Sequence, residues 1–419
     1  MERVLLIGIA HSNKARWQKI DSLEELAALT QTAGGKVVEK ILQIKKDFNP
    51  ATLLGIGKIT ELTRLCRQHK INLLIFDDTL SATQIRNISD QTNVRVIDRT
   101  ALILDIFAQH AKSAEAKAQV ELAQLEHLRT NLVGYGTELS RLGGGIGTRG
   151  PGEKKLEEDR RRIRERISVL DKVLSKIDKE RTVQRKNRQA YFKISLVGYT
   201  NAGKSTLMNQ LTNAGVKVSP YLFATLDPNT KSLSLTKNIT VFLTDTVGFI
   251  RNLPHELIAS FRATLSEIKN ADLILHVVDA SEEDIESKIN AVDNSLAEIG
   301  CRDKDILIIF NKIDRVFEPE VIKRLKRCYS TSVFISALTG EGIDKLKLAI
   351  LDYIKQELVI KTFTIPTLRG DLINRIYENG DVIRRVEKDT KITLTVKGYR
   401  PILQKLAQDI KAQRKVVTL

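Results

Sequence analysis

The chain has 419 residues, of which 42% are apolar and 28% charged, as in soluble proteins built from a few domains of about 100–200 residues each. No apolar stretch reaches the roughly 20 residues of a membrane span, and the three cysteines lack metal or redox spacing, so we exclude membrane-inserted and disulfide-stabilised secreted classes and expect a cytoplasmic protein. The formal net charge is +16, and two segments hold nearly all of the excess: residues 141–188, with 16 basic and 8 acidic side chains, and residues 361–419, with 13 and 6. Such concentration favours a polyanionic partner.

Residues 1–98 are predicted to form an α/β domain. Short apolar runs at 4–10, 36–44, 71–78 and 94–98 are typical of strands, and the amphipathic stretches between them are typical of helices. This alternation indicates a partly parallel sheet.

Residues 99–190 are predicted to form two long helices. Helix-forming residues run without a breaker from Asp98 to His127, and a second, densely charged helix is predicted from about Glu153 to Asn187. Between them, LGGGIGTRGPGE (142–153) contains six glycines and one proline, which predicts a flexible loop at the tip of an antiparallel hairpin.

This loop and the helix after it are a candidate RNA-binding surface. Backbone without side chains, surrounded by cations, can lie against a folded RNA; a passive linker is the alternative. Aromatic residues are scarce here, so we predict recognition of phosphate and shape rather than base stacking. The candidate contacts are Arg141, Arg149, Lys154, Lys155, Arg160, Arg161 and Arg162.

Residues 191–360 begin with a nucleotide motif. The strand KISLV leads into GYTNAGKST, which fits G-x-x-x-x-G-K-[ST], and a predicted helix follows. Backbone N–H groups of such a loop and the positive end of the helix surround a phosphate chain, the lysine reaches the outer phosphates, and the serine hydroxyl binds Mg²⁺. The predicted phosphate-binding residues are Gly198, Tyr199, Thr200, Asn201, Ala202, Gly203, Lys204, Ser205 and Thr206.

Two further segments are predicted to respond to the terminal phosphate. The strand 239–245 ends in Asp245, which is expected to contact Mg²⁺ through water, and Gly248 is expected to donate its N–H to the γ-phosphate. LFATLDPNT (222–230) lies where a mobile switch is expected; Thr225 is the predicted Mg²⁺ ligand, with Thr230, or an ordinary turn around Pro228, as alternatives. The predicted switch residues are Phe223, Ala224, Thr225, Leu226, Asp245, Thr246, Val247 and Gly248, and the predicted catalytic residues are Lys204, Thr225, Gly248 and Asn201.

The motif NKID (311–314) predicts the base. Asp314 can accept hydrogen bonds from guanine N1–H and N2–H₂, whereas adenine lacks that amine and would leave the carboxylate partly unpaired. The amide of Ala337 is predicted to bind guanine O6. Four motifs in this order, each after a strand, favour a domain that binds GTP and GDP over an ATPase or kinase. The predicted guanine-binding residues are Asn311, Lys312, Asp314, Ser336, Ala337 and Leu338.

Residues 361–419 are predicted to form a small basic α+β domain. The stretch 369–396 has strand–turn character, with ENGD (378–381) as a turn, and PILQKLAQDIKAQ is typical of a closing helix.

With these motifs together, the chain resembles the HflX family of ribosome-associated GTPases over nearly its whole length. The segments that resemble the family's signatures are GGGIGTRGPGE, DRRRI, GYTNAGKSTLMN, LFATLDP, DTVGFI and LPHELIASFRATL. Lys154 departs from the pattern, because relatives usually have threonine there, and it adds positive charge.

The resemblance implies binding to the large (50S) ribosomal subunit, GTP hydrolysis under its stimulation, and separation of stalled or idle 70S ribosomes. We expect the protein to be a monomer. The resemblance also implies that the hairpin loop, residues 142–155 here, inserts toward the catalytic centre of the subunit. A GTP-dependent factor for rRNA remodelling or 50S assembly is the alternative. A signalling GTPase fits the concentrated charge poorly, and peripheral membrane association has only that charge in its favour.

Phe249 stands directly after Gly248, where many GTPases place a glutamine that orients the attacking water. The resemblance implies an apolar residue here. We expect the missing contribution to come from the ribosome, through ordering of residues 222–230 and 246–262, or from a K⁺ ion held partly by Asn201, since N-x-G-K-S loops resemble those of potassium-activated GTPases. A plain turn residue is the alternative for Asn201. The free enzyme is expected to be slow.

Overall fold

The computed structural model describes residues 1–13, 16–45, 49–139, 151–188, 191–212, 215, 222–223, 227–236, 239–251, 262–388 and 390–416. The chain divides into two compact units. The first comprises Met1–Asp178 together with Ser219–Asp227 and Arg251–Ala263; the second comprises Lys179–Val218, Pro228–Ile250 and Thr264–Leu419. The predicted α/β class is confirmed, whereas the boundaries of the four predicted domains stay a prediction.

The first unit contains a four-stranded sheet of order β2-β1-β3-β4, in which every pair is parallel rather than only some of them. The side chains of β1 and β3 are almost all buried apolar residues, because helices cover both faces of a parallel sheet. The strands are β1 (Arg3–Ala10), β2 (Lys36–Ile44), β3 (Leu73–Phe76) and β4 (Arg95–Asp98), and the helices between them are α1 (Arg16–Thr32), α2 (Ile56–His69) and α3 (Ala82–Thr92).

The helical segment that follows differs from its prediction. Instead of one helix from Asp98 to His127, α4 (Arg99–His110) and α5 (Ala114–Leu139) are separated by residues 111–113. The hydroxyl of Ser113 accepts a hydrogen bond from the N–H of Ala116 at 3.0 Å, and this cap begins the second helix. The prediction of an unbroken helix was therefore wrong, because a serine can start a new helix without a glycine or proline nearby.

The predicted pairing of two long helices is confirmed within the described residues. Helix α5 packs against α6 (Pro151–Arg188) through a narrow apolar contact, and the guanidinium of Arg166 binds the carboxylate of Glu121 at 2.6 and 2.8 Å. The predicted loop 142–153 lies largely outside the described residues, which resume at Pro151. The buried residues between the two helices are Ala118, Leu122, Ile163, Ile167 and Leu170.

The second unit contains a six-stranded sheet of order β10-β9-β8-β5-β7-β6, in which β6 alone among the described strands runs antiparallel to its neighbour. The carboxyl ends of its parallel strands meet at one edge, where ligands bind in open α/β sheets. The strands are β5 (Phe192–Gly198), β6 (Asn229–Thr236), β7 (Ile239–Asp245), β8 (Leu273–Asp279), β9 (Ile306–Asn311) and β10 (Val333–Phe334). The helices of this region are α7 (Lys204–Thr212), α8 (Arg262–Lys269), α9 (Ile285–Glu298), α10 (Pro319–Cys328) and α11 (Ile343–Gln356).

The C-terminal part of the second unit is the predicted small α+β domain. Its antiparallel sheet has the order β11-β13-β12. Strand–turn character was the wrong prediction for residues 370–379, which form a helix because Leu372 and Ile376, four residues apart, are both buried on one face. The elements are β11 (Leu358–Pro366), α12 (Gly370–Asn379), β12 (Asp381–Lys388), β13 (Lys391–Tyr399) and α13 (Arg400–Val416). None of the described helices is both long enough and apolar enough to span a bilayer.

Candidate active site

The loop between β5 and α7 has the backbone that its sequence predicts. Gly198 and Gly203 have φ angles of 154° and 94°, and Asn201 has 60°, which is the left-handed region. A Cβ atom at Gly198 would lie 2.2 Å from the carbonyl oxygen of Val277, and one at Gly203 would lie 2.3 Å from the amide nitrogen of Asn311. Only glycine fits at these two positions, so the loop can pass close to its neighbours.

The side chain of Lys204 reaches back to the start of this loop. Its ammonium group donates to the carbonyl oxygens of Gly198 at 3.0 Å and Tyr199 at 2.8 Å, and the residue is buried. Burial lowers the pKa of Lys204 to about 8, although the nearby carboxylate of Asp245 opposes the shift. A buried cation in this position is suited to a phosphate group, and the predicted contact with the outer phosphates stays a prediction.

Ser205 and Asp245 meet at the carboxyl edge of the sheet. The Ser205 hydroxyl donates to the Asp245 carboxylate at 2.7 Å, and Asp245 is fully buried at the end of β7. A hydroxyl and a carboxylate are both oxygen ligands of the kind that Mg²⁺ prefers. The donor set therefore fits the predicted ion, and the direct contact of Ser205 and the water-mediated contact of Asp245 stay predictions.

The segment after β7 is attached to the phosphate loop. The N–H of Phe249 donates to the Gly198 carbonyl at 3.0 Å, and its own carbonyl accepts the N–H of Thr200 at 2.8 Å. Gly248 lies against the same loop, since a Cβ atom there would be 2.9 Å from the methyl group of Thr200 and 3.1 Å from the Lys204 ammonium. Thr246 is buried and donates its hydroxyl to a carbonyl of β5 at 2.7 Å, and Val247 follows it.

Asn311 joins two of the predicted loops. Its side-chain amide donates to the Ala202 carbonyl at 2.8 Å, and its oxygen accepts the N–H of Ala337 at 2.9 Å. The Ala337 amide, which we predicted to bind guanine O6, thus bonds to Asn311 here. The asparagine thus connects the predicted base-binding segment to the predicted phosphate-binding segment.

The remaining predicted base contacts lie around this asparagine. Lys312 has φ 63° and forms an ion pair of 2.6 Å with Asp279, the last residue of β8. Asp314 is exposed in a short 3₁₀ helix, Ile313–Arg315, where its carboxylate is accessible to a base. Ser336 is buried and its hydroxyl accepts the N–H of Thr339 at 3.2 Å, whereas Leu338 is 72% exposed.

The predicted switch segment 222–230 lies only partly within the described residues. Ala224, Leu226 and Thr225, the predicted Mg²⁺ ligand, lie outside the described residues. Thr230, the alternative, lies in β6 with its hydroxyl 3.0 Å from that of Thr244.

Phe223 and Asp227, which flank residues 224–226, belong to the first unit, and so does Arg251. The ring of Phe223 packs edge-on against Phe107 at 4.7 Å, and Asp227 accepts hydrogen bonds from both the backbone and the hydroxyl of Ser113. Arg251, three residues after Gly248, accepts a hydrogen bond on its carbonyl oxygen from the guanidinium of Arg99 at 3.4 Å. Phe223, Asp227 and Arg251 therefore make these contacts within the first unit.

The predicted RNA-binding arginines are described in part. Arg141 and Arg149 lie outside the described residues, as do the side chains of Lys154 and Lys155 in α6. Arg160 is half-buried, whereas Arg161 and Arg162 are exposed. The guanidinium of Arg161 lies 3.7 Å from the carboxylate of Glu165, and that of Arg162 lies 2.7 Å from the carboxylate of Glu158. The acids of the helix therefore neutralise part of its positive charge.

Four family models match the chain in sequence order. They are described as "GTP-binding GTPase N-terminal" (residues 20–108), "GTP-binding GTPase Middle Region" (110–188), "50S ribosome-binding GTPase" (193–312) and "HflX C-terminal domain" (321–408). The chain is 43% identical over 384 residues to the GTPase HflX of Caldanaerobacter subterraneus, covering 91% of this chain and 87% of that protein. It belongs to the HflX family of GTPases.

Other HflX proteins show the same extent of similarity. The GTPase HflX of Escherichia coli is 41% identical over 386 residues, which cover 90% of each chain. Among solved structures, a GTP-binding protein of Sulfolobus solfataricus in complex with GDP is 26% identical, with a TM-score of 0.43, over 85% of this chain and 99% of that one. The predicted resemblance is confirmed by the relatives, and HflX membership makes this chain a GTP-binding enzyme that hydrolyses GTP to GDP and phosphate.

Two residues beside the predicted site residues of this HflX protein were not named by the sequence analysis. Asp279 ends the strand LILHVVD and lies opposite Asn311 in the sheet. An aspartate directly after a largely apolar run is a sequence signal that could have identified it. His276 is buried in the same strand, and burial, with a further contribution from Lys204, lowers its pKa to about 4. A single histidine in an apolar strand gives no comparable signal.

Proposed function

We propose that this HflX GTPase binds the large ribosomal subunit and, in its GTP state, separates stalled or idle 70S ribosomes in the cytoplasm. The observation that supports this most is the concentration of positive charge in residues 141–188 and 361–419, two segments separated by the GTPase motifs. A ribosome is a polyanion large enough to use both segments at once. The family model described as a 50S ribosome-binding GTPase matches the region between them.

In this proposal, each predicted residue of the nucleotide site has a task. The amides of residues 198–206 and the Lys204 ammonium would hold the phosphates, and Asp314 would select guanine. Mg²⁺ held by Ser205, by Thr225 and, through water, by Asp245 would neutralise charge on the outer phosphates. Gly248 would donate its N–H to the γ-phosphate, which distinguishes GTP from GDP.

Phe249 cannot orient the attacking water as a glutamine would. That contribution would come from outside the phosphate-binding loop. Contacts with the ribosome would order both switch segments and so position water and charge for phosphoryl transfer. A K⁺ ion beside Asn201 is the second source. Asn201 is exposed and has a left-handed backbone, so its side-chain carbonyl faces away from the apolar core of the unit.

In this scheme, GTP binding drives the separation and hydrolysis permits release. A ligand shifts a conformational equilibrium only by its difference in affinity for the two states, and the γ-phosphate is the group that differs between GTP and GDP. Separation is then expected with a non-hydrolysable GTP analogue as well as with GTP.

The test is steady-state GTP hydrolysis in K⁺ buffer with and without purified 50S subunits, together with sedimentation of 70S ribosomes in the presence of each nucleotide. We expect strong stimulation by 50S subunits and conversion of 70S particles into subunits. Stimulation without conversion would favour the alternative, a GTP-dependent factor for rRNA remodelling or 50S assembly. Slow hydrolysis that 50S subunits do not change would contradict both.

A further inference from the structure

The sheet of the C-terminal domain has two unlike faces. One face is covered by α12 and α13, and its side chains form an apolar core with those helices. On the other face, Tyr399 and Leu358 pack at one end against the core of the GTPase sheet, and Tyr399 lies 5.6 Å from Phe192. Beyond Tyr399 the strands continue, and we call the outward positions of this continuation the open face. The core residues on the covered side are Phe363, Ile365, Ile392, Leu394 and Val396.

Hydroxyl groups occupy the middle of the open face. Thr362 lies opposite Thr395, and Thr364 lies opposite Thr393, in the antiparallel pairing of β11 with β13. Their hydroxyl oxygens are 3.5 Å and 3.4 Å apart, which places all four threonines on the same side of the sheet. Thr362 and Thr364 are exposed, and the other two are half-buried.

Cations surround these hydroxyls. The register of β12 with β13 places Arg384 opposite Thr395 and Lys388 opposite Lys391, and Lys397 follows two positions after Thr395 on the same side. All four basic residues are exposed. The register assigns one acid to this face, Asp381 opposite Lys397. The open face is therefore a polar surface with a clear excess of positive charge.

We propose that the open face binds the sugar–phosphate backbone of a folded RNA. Lysine, arginine and threonine are the side chains that contact phosphate oxygens in nucleic-acid complexes. The apolar residues at these outward positions, Ile360, Val386 and Pro366, all lie on the edge strands β11 and β12. None of them is aromatic, and neither is the exposed Ile383 at the bulge of β12. The face therefore has no platform for stacked bases and no aromatic anchor of the kind that dominates protein interfaces.

This inference rests on the proposed function, because it assigns a second RNA contact to the protein that we propose to bind the ribosome. The RNA would be recognised by its shape and charge, since no side chain of the face is arranged to read a base. An acidic protein surface is the other class of partner for such a face, and the experiment separates the two.

The test uses the full-length protein with the double substitution Arg384→Glu and Lys391→Glu. A matched control, Arg400→Glu with Lys405→Glu, makes the same change of charge at exposed positions of α13, the helix on the covered side. A third variant, Thr362→Val with Thr364→Val, removes two hydroxyls but keeps branched side chains suited to a strand. Binding to purified 50S subunits and to protein-free 23S rRNA is measured at several salt concentrations, and GDP affinity is measured for every variant.

We expect the open-face reversal to weaken both RNA interactions by roughly tenfold or more and to lower the slope of log affinity against log salt by about 2, one for each lost phosphate contact. The threonine variant should bind both RNA partners several-fold more weakly than the wild type. The affinity of the control should stay within about twofold of the wild-type value. GDP affinity should not change in any variant.

Each other outcome overturns a specific statement. If the reversal variant binds 50S subunits as the wild type does, the open face does not contact RNA, and the proposed function still stands. If it loses 50S binding but binds protein-free rRNA normally, the partner of this face is a ribosomal protein. If the wild type itself does not bind 50S subunits, the proposed function fails, and the rRNA measurement alone then decides the role of the face.

Discussion

Phe249 and Thr200 are paired through their backbones, with the Thr200 N–H donating to the Phe249 carbonyl at 2.8 Å. Phe249 is 3% exposed, so its side chain is buried rather than directed to solvent. The position that carries a water-orienting glutamine in many GTPases therefore pairs here, through its backbone, with the loop between β5 and α7.

We predict that Phe249→Gln does not accelerate GTP hydrolysis. The glutamine amide would be buried at a position that suits an apolar ring, and the contacts of that ring would be lost. We expect the free energy of unfolding to fall by about 3–5 kcal/mol. Single-turnover hydrolysis without ribosomes and calorimetric unfolding measure both effects. Phe249→Leu, the control, should keep the hydrolysis rate and lose only about 1 kcal/mol. A glutamine variant that is both stable and faster would show that the side chain can turn toward the phosphate.

Gly248→Ala should reduce the preference for GTP over GDP. The added methyl carbon would meet Thr200 at 2.9 Å and the Lys204 ammonium at 3.1 Å, so Gly248 would have to move away from the position that we propose for its contact with the γ-phosphate. We expect the ratio of GTP to GDP affinity to fall about tenfold, measured by fluorescent-nucleotide titration. Gly57→Ala is the control, since nothing lies within 4 Å of a Cβ atom at that helical position. An unchanged ratio in the Gly248 variant would contradict the sensor role.

Asp314→Asn should change base preference and leave the fold intact. The carboxylate is exposed, so its replacement removes no buried contact. An amide donates to the extra carbonyl oxygen of xanthine but repels the amine of guanine, and we expect GTP affinity to fall by about 100-fold or more while affinity for xanthosine triphosphate rises. Competition binding with both nucleotides measures the change. Retention of tight GTP binding would place the base elsewhere.

The exchange of Na⁺ for K⁺ tests the role of Asn201. If its carbonyl oxygen helps to hold K⁺, turnover of the wild type should be several-fold faster in K⁺ than in Na⁺. Asn201→Gly keeps the left-handed backbone that φ 60° requires and removes the side-chain oxygen, so its turnover should not distinguish the two ions. Equal turnover of the wild type in both ions removes this hypothesis and leaves the ribosome as the source of stimulation.

His276 should make the second unit sensitive to acid. Its folded-state pKa of about 4 lies below the ordinary value of 6.5, chiefly because burial disfavours the charged form. The unfolded chain therefore binds more protons below pH 6.5, and stability that is fully present above this value is lost as the pH falls toward 4. The loss should be roughly 2 kcal/mol between pH 7 and pH 5.

The measurement is calorimetric unfolding at the two pH values, compared with His276→Leu. That variant replaces a buried imidazole by an apolar side chain, so its acid sensitivity should be smaller by about the same amount. If both proteins lose stability equally, another group is responsible for the acid sensitivity.

Elements with strong local patterns could be predicted from the sequence. The parallel strands are short apolar runs, and the phosphate loop has glycines where the backbone has no room for a Cβ atom. Two elements could not be predicted. The helix break at Ser113 involves hydrogen bonds to Asp227, more than 100 residues away in sequence. The helix Gly370–Asn379 has the ENGD turn signal at its end, and its four-residue spacing of buried side chains becomes evident only against the sheet that it covers.

The site was predictable as a set of motifs and less so as a set of contacts. The motifs name Asn311, but the two hydrogen bonds through which it joins the loops depend on neighbouring strands coming together. The ion pair between Lys312 and Asp279 and the backbone pairing of Phe249 have the same origin. Contacts between strands that are distant in sequence depend on topology, which a local pattern does not specify.

Residues 219–227 and 251–263 belong to the same compact unit as the first 178 residues, although the GTPase motifs of the sequence enclose them. Chimeras between HflX relatives that exchange residues 191–360 alone would therefore combine a foreign Phe223 and Asp227 with the resident Phe107 and Ser113. Functional exchange should require the N-terminal 178 residues and both inserted segments to come from the same parent. Substitutions in these stretches are expected to accompany one another as the family diverges.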